Sequence, residues 1–375
     1  MQRTTDALIE TLIQTRPYAL TQSEKREILL QRMQDLTKFH YHHCKAYQDI
    51  IDRVFGGERA FSFTRVEDAP FLPVSLFKTL QLKSIPDESV IKTLTSSGTT
   101  GQQVSRIYLD SDTAKLQSKV LVKLTQHFLG KDRIPMVILD HKSVIKNRRS
   151  YSARGAGILG MAQFGRAPFY ALDDDMKLDV DGLLAYLDKH QDKPIFFFGF
   201  TFMVWKYFIQ VLKEKEITLH PKNATLIHSG GWKKLQAEAV DNARFQEIVK
   251  QVTGIEQIVN FYGMVEQVGS VFFENPLHYL HAPIFSDVII RDPITLQPLP
   301  MGEKGLVQVV SALPTSYPGH SILTEDLGIL HGEDHEDLEM KGRYFEILGR
   351  VPKTEVRGCS DTFQSNTPKK PAAAA

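Results

Sequence analysis

The sequence predicts an α/β fold with a strand-rich region appended to it, and two observations carry that prediction. Between about residues 90 and 262, short apolar runs of the kind found in buried strands alternate with amphipathic helical stretches. The runs are "IPMVILDH", "KPIFFFGF", "ATLIHSGG" and "QIVNFYG". After Pro276 the texture changes to short strands with turns, as in "SDVIIRDPITLQPLPMGEKGLVQVVS". Alternation followed by a strand-rich part reads as an α/β domain with a β region added.

The elements justify themselves in order. Residues 1–60 read as a helical N-terminal part. From Thr21 to Arg53 the residues Leu29, Leu30, Met33, Leu36 and Phe39 recur at helical spacing. A single helix there places Cys44 on or beside an apolar face. Pro70 and Pro73 in "DAPFLPV" exclude a regular helix. "VIKTLTSSG" reads as a short strand running into a loop, and Ser111 to Leu129 as an amphipathic helix. "TFMVWKYFIQVLKEKEI" reads as a second helix. "KKLQAEAVDNARFQEIVKQVTG" reads as a third, closed by Gly254. The last stretch, "QSNTPKKPAAAA", has no periodicity and reads as a disordered tail or an expression remnant.

Composition excludes several classes. The 375 residues are 42% apolar and 24% charged, as in an ordinary soluble globular protein. A formal net charge of +1 gives no global basic field for nucleic acid. No apolar run approaches the roughly 20 residues that span a bilayer. The start, "MQRTTDALIETLIQTRPYAL", has no signal-peptide core, so a cytoplasmic location is the expectation. The two cysteines, Cys44 and Cys359, are too few for a disulfide framework or a structural zinc site.

Chemistry enters at "LTSSGTTGQQV". Ser96, Ser97, Gly98, Thr99, Thr100 and Gly101 expose backbone N–H groups and hydroxyls, and glycine lets the backbone approach a ligand closely. Alone, the stretch fits a solvent turn as well as an anion cradle, and it is not a Walker loop. Four further stretches follow it: "LIHSGGWKKL" with Ser229, Gly230, Gly231 and Lys233; "VNFYGMVEQVG" with Tyr262, Gly263 and Glu266; "ILTEDLGIL" with Asp326; and "ILGRVPKTEVRG" with Arg350. The loop, the double glycine, Tyr-Gly-x-x-Glu, Asp-Leu-Gly and Gly-Arg stand in the order seen in the acyl-adenylate-forming superfamily. The chain resembles that group over residues 95 to 358.

The resemblance implies a large adenylate-forming N-terminal domain over 1–348, with mixed sheets flanked by helices. It implies a short hinge and mobile C-terminal segment over 349–375, in place of the full small C-terminal domain. It implies that Ser96 to Gly101 hold ATP phosphates and that Ser229, Gly230 and Gly231 lie against the adenine. Tyr262 and Gly263 would flank the base. Glu266 would ligate Mg²⁺, a hard cation that takes carboxylate and phosphate oxygens. Asp326 would accept from the ribose hydroxyls, and Arg350 would offer its fork to phosphate or ribose. The chain also departs from the pattern: Gln103 and Val104 follow the loop where many relatives have Pro and Lys. Arg106, Lys233 and Arg350 are the candidates for the missing positive charge; Lys353, near the hinge, is left unassigned.

Cys359, in "EVRGCSDTF", lies in a polar segment near the end, with Arg357 and Lys353 to favour a thiolate. On the residues alone it fits a plain surface thiol equally well. Together with "SSGTTG" and "SGGWK", however, "RGCSDTF" resembles the acyl-protein synthetases of bacterial bioluminescence. That resemblance implies ATP-dependent activation of a long-chain fatty acid, around tetradecanoic, to acyl-AMP. Self-acylation of Cys359 as a thioester follows, then transfer to an NADPH-dependent acyl reductase that makes the aldehyde for luciferase. A fatty-acid-supplying thioesterase and an oligomeric complex are the implied partners. "IFFFGFTFMVW", Ile195 to Trp205, is a candidate wall for the acyl chain and equally a core strand. Two other readings compete: an aryl- or acyl-CoA ligase of the phenylacetate type, and a non-catalytic nucleotide-binding subunit of a multienzyme complex.

Overall fold

A computed structural model describes residues 2–96, 103–145, 153–232 and 238–351. The strands described there are β1 (Leu72–Pro73), β2 (Lys92–Thr95), β3 (Arg106–Leu109), β4 (Ile134–His141), β5 (Gly165–Leu172), β6 (Ile195–Phe200), β7 (Ala224–Ser229), β8 (Gln257–Tyr262), β9 (Phe272–Glu274), β10 (Leu280–His281), β11 (Ser286–Arg291), β12 (Lys304–Ser311), β13 (Ser321–Glu333) and β14 (Arg343–Arg350).

One sheet runs through nearly all of them. Its order is β11-β12-β13-β14-β10-β9-β8-β7-β6-β4-β5, with β1 added beside β13. Strands β4 to β8 pair in parallel, and helices cover the crossovers, as parallel pairing requires. From β8 to β9 the pairing turns antiparallel. The strand-rich region is therefore not a separate sheet. It continues the parallel one through β9, β10 and β14, which brings Asp326 and Arg350 beside strands far earlier in sequence.

The N-terminal part is helical, but not as one rod. Helix Gln22–His43 ends at Cys44, whose backbone is extended, and a new helix runs Lys45–Val54. A capping box at Thr21 starts the first: the Thr21 side chain accepts from Glu24 N–H while Glu24 reaches back to Thr21. The buried stripe is Leu29, Met33, Leu36 and His40, whereas Phe39 points outward. Cys44 is buried, and burial pushes its thiol up, which suits a structural role. A buried network fastens this helix to the sheet. Lys25 Nζ stands 3.4 Å from Asp287 Oδ1 on β11. Arg343 on β14 stands 3.7 Å from Asp287 Oδ2 and 2.9 Å from Glu67. Such networks are demanding to desolvate, so each partner depends on the others; this one anchors the strand that ends in Arg350.

The helices Ser111–Leu129 and Asn242–Thr253 match their sequence signals, with Gly254 in the left-handed region as the C-cap. The apolar run after β6 is interrupted: Thr201–Met203 is α-helical, Val204–Ile209 π-helical and Gln210–Glu214 α-helical again. π-turns of this kind recur at functional sites. Ile195 to Phe198 are fully buried core side chains, so that part of the run is a core strand. Phe200 differs, because it borders the glycines of the next strand. No helix among the described residues is long and apolar enough to cross a membrane.

Candidate active site

Ligands of open α/β sheets bind beyond the carboxyl ends of the parallel strands, and the motif residues collect at that edge. β7 ends in Ser229, whose Oγ donates to the Phe261 carbonyl at 2.8 Å and ties β7 to β8. Gly230 follows at φ +86°, a conformation that costs glycine little. Gly230 and Gly231 are exposed, as an approach to a flat ligand requires. A Cβ on Gly230 would lie 3.6 Å from Phe200, and one on Gly157 only 3.0 Å from the same ring. Phe200 thus separates the glycine strand end from helix Ala153–Ala162.

β8 delivers Tyr262 to the same edge, with Gly263 following. Tyr262 donates its hydroxyl proton to Asp326 Oδ2 at 2.7 Å. Burial, then the charge of Asp326, raises its pKa well above the ordinary tyrosine value, so it remains a donor. Asp326 pairs in register with Arg350, the last residue of β14, and Arg350 Nε lies 3.5 Å from Asp326 Oδ1. Burial pushes the Asp326 carboxyl up, while Tyr262 and Arg350 oppose that shift. The glycine of Asp-Leu-Gly has a steric reason: a Cβ on Gly328 would stand 2.5 Å from the Glu346 carbonyl oxygen.

Glu266 sits in a 3-10 turn, Val265–Gln267. Gln267 fixes the turn by donating to the Val309 and Gly319 carbonyls at 3.2 and 3.0 Å. Glu266 is buried, and that burial pushes its carboxyl up; the neighbouring Ser105 and the charges of Lys78 and Arg350 oppose it. Ser105 belongs to the glycine-rich loop. β2 and β3 form a hairpin with Thr95 opposite Arg106. At its end Ser96 N–H donates to the Ser105 carbonyl at 3.2 Å, and Ser105 N–H donates to Ser96 Oγ at 2.9 Å. The loop base therefore stands beside Glu266.

Tyr262, Asp326 and Arg350 meet directly, Ser229, with Gly230 and Gly231 after it, is tied to β8 one residue before Tyr262 and Gly263, and Ser96 closes the hairpin base beside Ser105, a neighbour of Glu266. Ser97, Gly98, Thr99, Thr100, Gly101, Lys233, Lys353 and Cys359 lie outside the described residues. Arg106 stands exposed at the hairpin base. Sequence reasoning missed Ser105 and Lys78, and took Phe200 only as part of the apolar run Ile195 to Trp205. A serine shortly after the loop is a findable signal; Lys78 has none, because only its packing brings it here. Among the described residues no group of three His, Cys, Asp or Glu side chains surrounds a metal position. Glu266 alone suits Mg²⁺, which commonly takes one or two carboxylates and completes its shell with substrate phosphates and water.

Comparison with known proteins agrees with this geometry. The chain is 24% identical over 358 residues to the long-chain-fatty-acid–luciferin-component ligase of Vibrio harveyi, covering 92% of this chain and 89% of that protein. Against the ligase of the same name from Aliivibrio fischeri it is 24% identical over 361 residues, covering 94% and 92%. Among solved structures it is similar to 2-hydroxyisobutyryl-CoA ligase in an open conformation with 2-HIB-AMP and CoA. The TM-score is 0.67 at 16% identity, over 92% of this chain and 79% of that one. The same ligase in its postadenylation state gives a TM-score of 0.68 at 15% identity, over 90% and 70%. These structural likenesses establish an adenylate-forming ligase fold. Residues 3–367 match the family described as acyl-protein synthetase, LuxE, so the chain belongs to that enzyme family.

Proposed function

We propose that this chain activates a long-chain fatty acid, around tetradecanoic, with ATP and then carries the acyl group on its own Cys359. The observation that carries the reading is the convergence of Glu266, Ser105, Tyr262, Asp326 and Arg350 at one sheet edge, in a member of an acyl-protein synthetase family. The 24% identical relatives named as fatty acid ligases support the substrate class.

A carboxylate is a poor electrophile because it is already an anion. Its oxygen attacks the α-phosphorus of ATP, and pyrophosphate leaves. The developing charge needs fixed cations and N–H donors. Here Arg350 supplies a guanidinium, the loop closed by Ser96 and Ser105 supplies N–H groups, and Glu266 would hold Mg²⁺, which would supply further positive charge to the phosphate oxygens. Asp326, oriented by Tyr262, accepts from the ribose hydroxyls. The Cys359 thiolate then attacks the acyl carbon, and AMP leaves with the carboxylate oxygen. The resulting thioester retains enough reactivity for reduction by a partner acyl reductase using NADPH. An oligomeric complex, with a thioesterase supplying the acid, completes this reading.

Isotope exchange tests the first step. Tetradecanoate should support exchange of labelled pyrophosphate into ATP, and Asp326→Ala should reduce that exchange by about two orders of magnitude. Exchange independent of any fatty acid, or absent with every chain length offered, contradicts the reading.

A further inference from the structure

Among the described residues, two carboxylates, Glu266 and Asp326, stand with a single guanidinium, Arg350, at the candidate nucleotide site. A triphosphate brings several more negative charges, and like charges at close range repel strongly in a partly buried setting. Gln102, Gln103 and Val104 follow the glycine-rich motif, so the loop brings no lysine of its own. A cation from elsewhere in the fold would help balance the site.

The geometry delivers one from the N-terminal part. β1 runs parallel to β13, with Leu72 opposite Ile322 and Pro73 opposite Leu323. Val74 N–H then donates to the Leu323 carbonyl at 2.9 Å. The chain thus follows β13 to a point three residues before Asp326 and turns into the short helix Leu76–Thr79. Phe77 of that turn is buried and meets Tyr317 edge-on, with ring centroids 6.3 Å apart. Tyr317 packs so closely on Gly319 that a Cβ there would lie 2.1 Å from its ring, and 2.9 Å from the Glu266 carbonyl oxygen. The residue after Phe77 is Lys78, half-buried and close enough to Glu266 to act on its charge. No salt bridge among the described residues engages Lys78, whereas Lys83 is paired with Asp87. Arg106, the cation nearest the loop in sequence, stands exposed on the hairpin.

We propose that Lys78 is a nucleotide-binding residue whose ammonium meets the polyphosphate chain bound beside Glu266. It takes the part that a loop lysine would otherwise play. This assignment rests on the adenylating function proposed above. An ammonium suits it as a compact, mobile point charge for phosphate.

Equilibrium binding to the full chain tests the assignment, with ATP in Mg²⁺ and with adenosine, for wild type, Lys78→Gln and Lys78→Arg. Lys78→Gln should weaken ATP about tenfold or more while adenosine stays within about twofold, and Lys78→Arg should restore most of the ATP affinity. Unchanged ATP affinity in Lys78→Gln overturns the assignment and leaves the adenylating function standing. Equal losses for ATP and adenosine also overturn it, because Lys78 would then merely support the Glu266 turn. Wild type without measurable ATP affinity defeats the adenylating function, and the assignment with it. If Lys78→Gln does not fold, Lys78→Met decides on the same readout: a loss for ATP but not adenosine supports the assignment, and unchanged ATP affinity overturns it.

Discussion

Tyr262 and Asp326 lie 64 positions apart and meet at 2.7 Å, hydroxyl to carboxylate. The bond joins the last of the parallel strands to the long antiparallel strand β13. It therefore couples the strand end that follows Ser229–Gly231 to the strand that presents the carboxylate.

Tyr262→Phe should weaken both fold and site. It leaves Asp326 largely buried with one donor fewer, at a cost of about 1–3 kcal/mol. Chemical denaturation should show that loss. ATP should also bind more weakly, because the carboxylate is less firmly aimed. Unchanged ATP affinity at full stability would show that the bond does not organise the site.

Gly319→Ala should damage the Glu266 turn selectively. The new methyl would stand 2.1 Å from the Tyr317 ring and 2.9 Å from the Glu266 carbonyl oxygen. Overpacking of this kind typically costs about 1–3 kcal/mol. A raised Mg²⁺ requirement for pyrophosphate exchange is the expected kinetic sign, and a magnesium titration measures it.

Glu274 gives the stability a pH dependence. Its carboxyl is buried and pushed up to about 7, chiefly by burial, while N–H groups of Asn260 and Asn242 oppose the shift. Between the ordinary value of 4.5 and about 7, the folded chain holds a proton that the unfolded chain releases. Stability therefore falls as pH rises through that window, by about 2–3 kcal/mol from this group. Glu274→Gln should flatten the slope, as urea midpoints at pH 5 and pH 8 will measure. An unaltered slope would assign it to other groups.

The strands of the parallel sheet were legible because each is a short apolar run closed by a polar or glycine end; β4, β6, β7 and β8 fall on the runs that predicted them. The helix Ser111–Leu129 was legible from its period. Three features were not. β1 is two residues long and includes a proline, and only its partner β13 makes it a strand. The break at Cys44 has neither glycine nor proline to announce it; its extended backbone reflects packing of two helices on one sheet. The continuity of the sheet depends on pairings between segments remote in sequence, such as β10 with β14. The site followed the same rule. Motif order pointed to Glu266, Asp326 and Arg350, and a serine shortly after the loop was a signal for Ser105, whereas Lys78 stands near Glu266 through tertiary placement alone.

The central claim is that the chain acylates itself on Cys359, and trapping the thioester tests it most directly. The protein is incubated with ATP, Mg²⁺ and radiolabelled tetradecanoic acid, denatured, and treated with neutral hydroxylamine. The account predicts label that survives denaturation, is released by hydroxylamine and is absent from Cys359→Ser. Label that persists in Cys359→Ser and disappears in Cys44→Ser would contradict it.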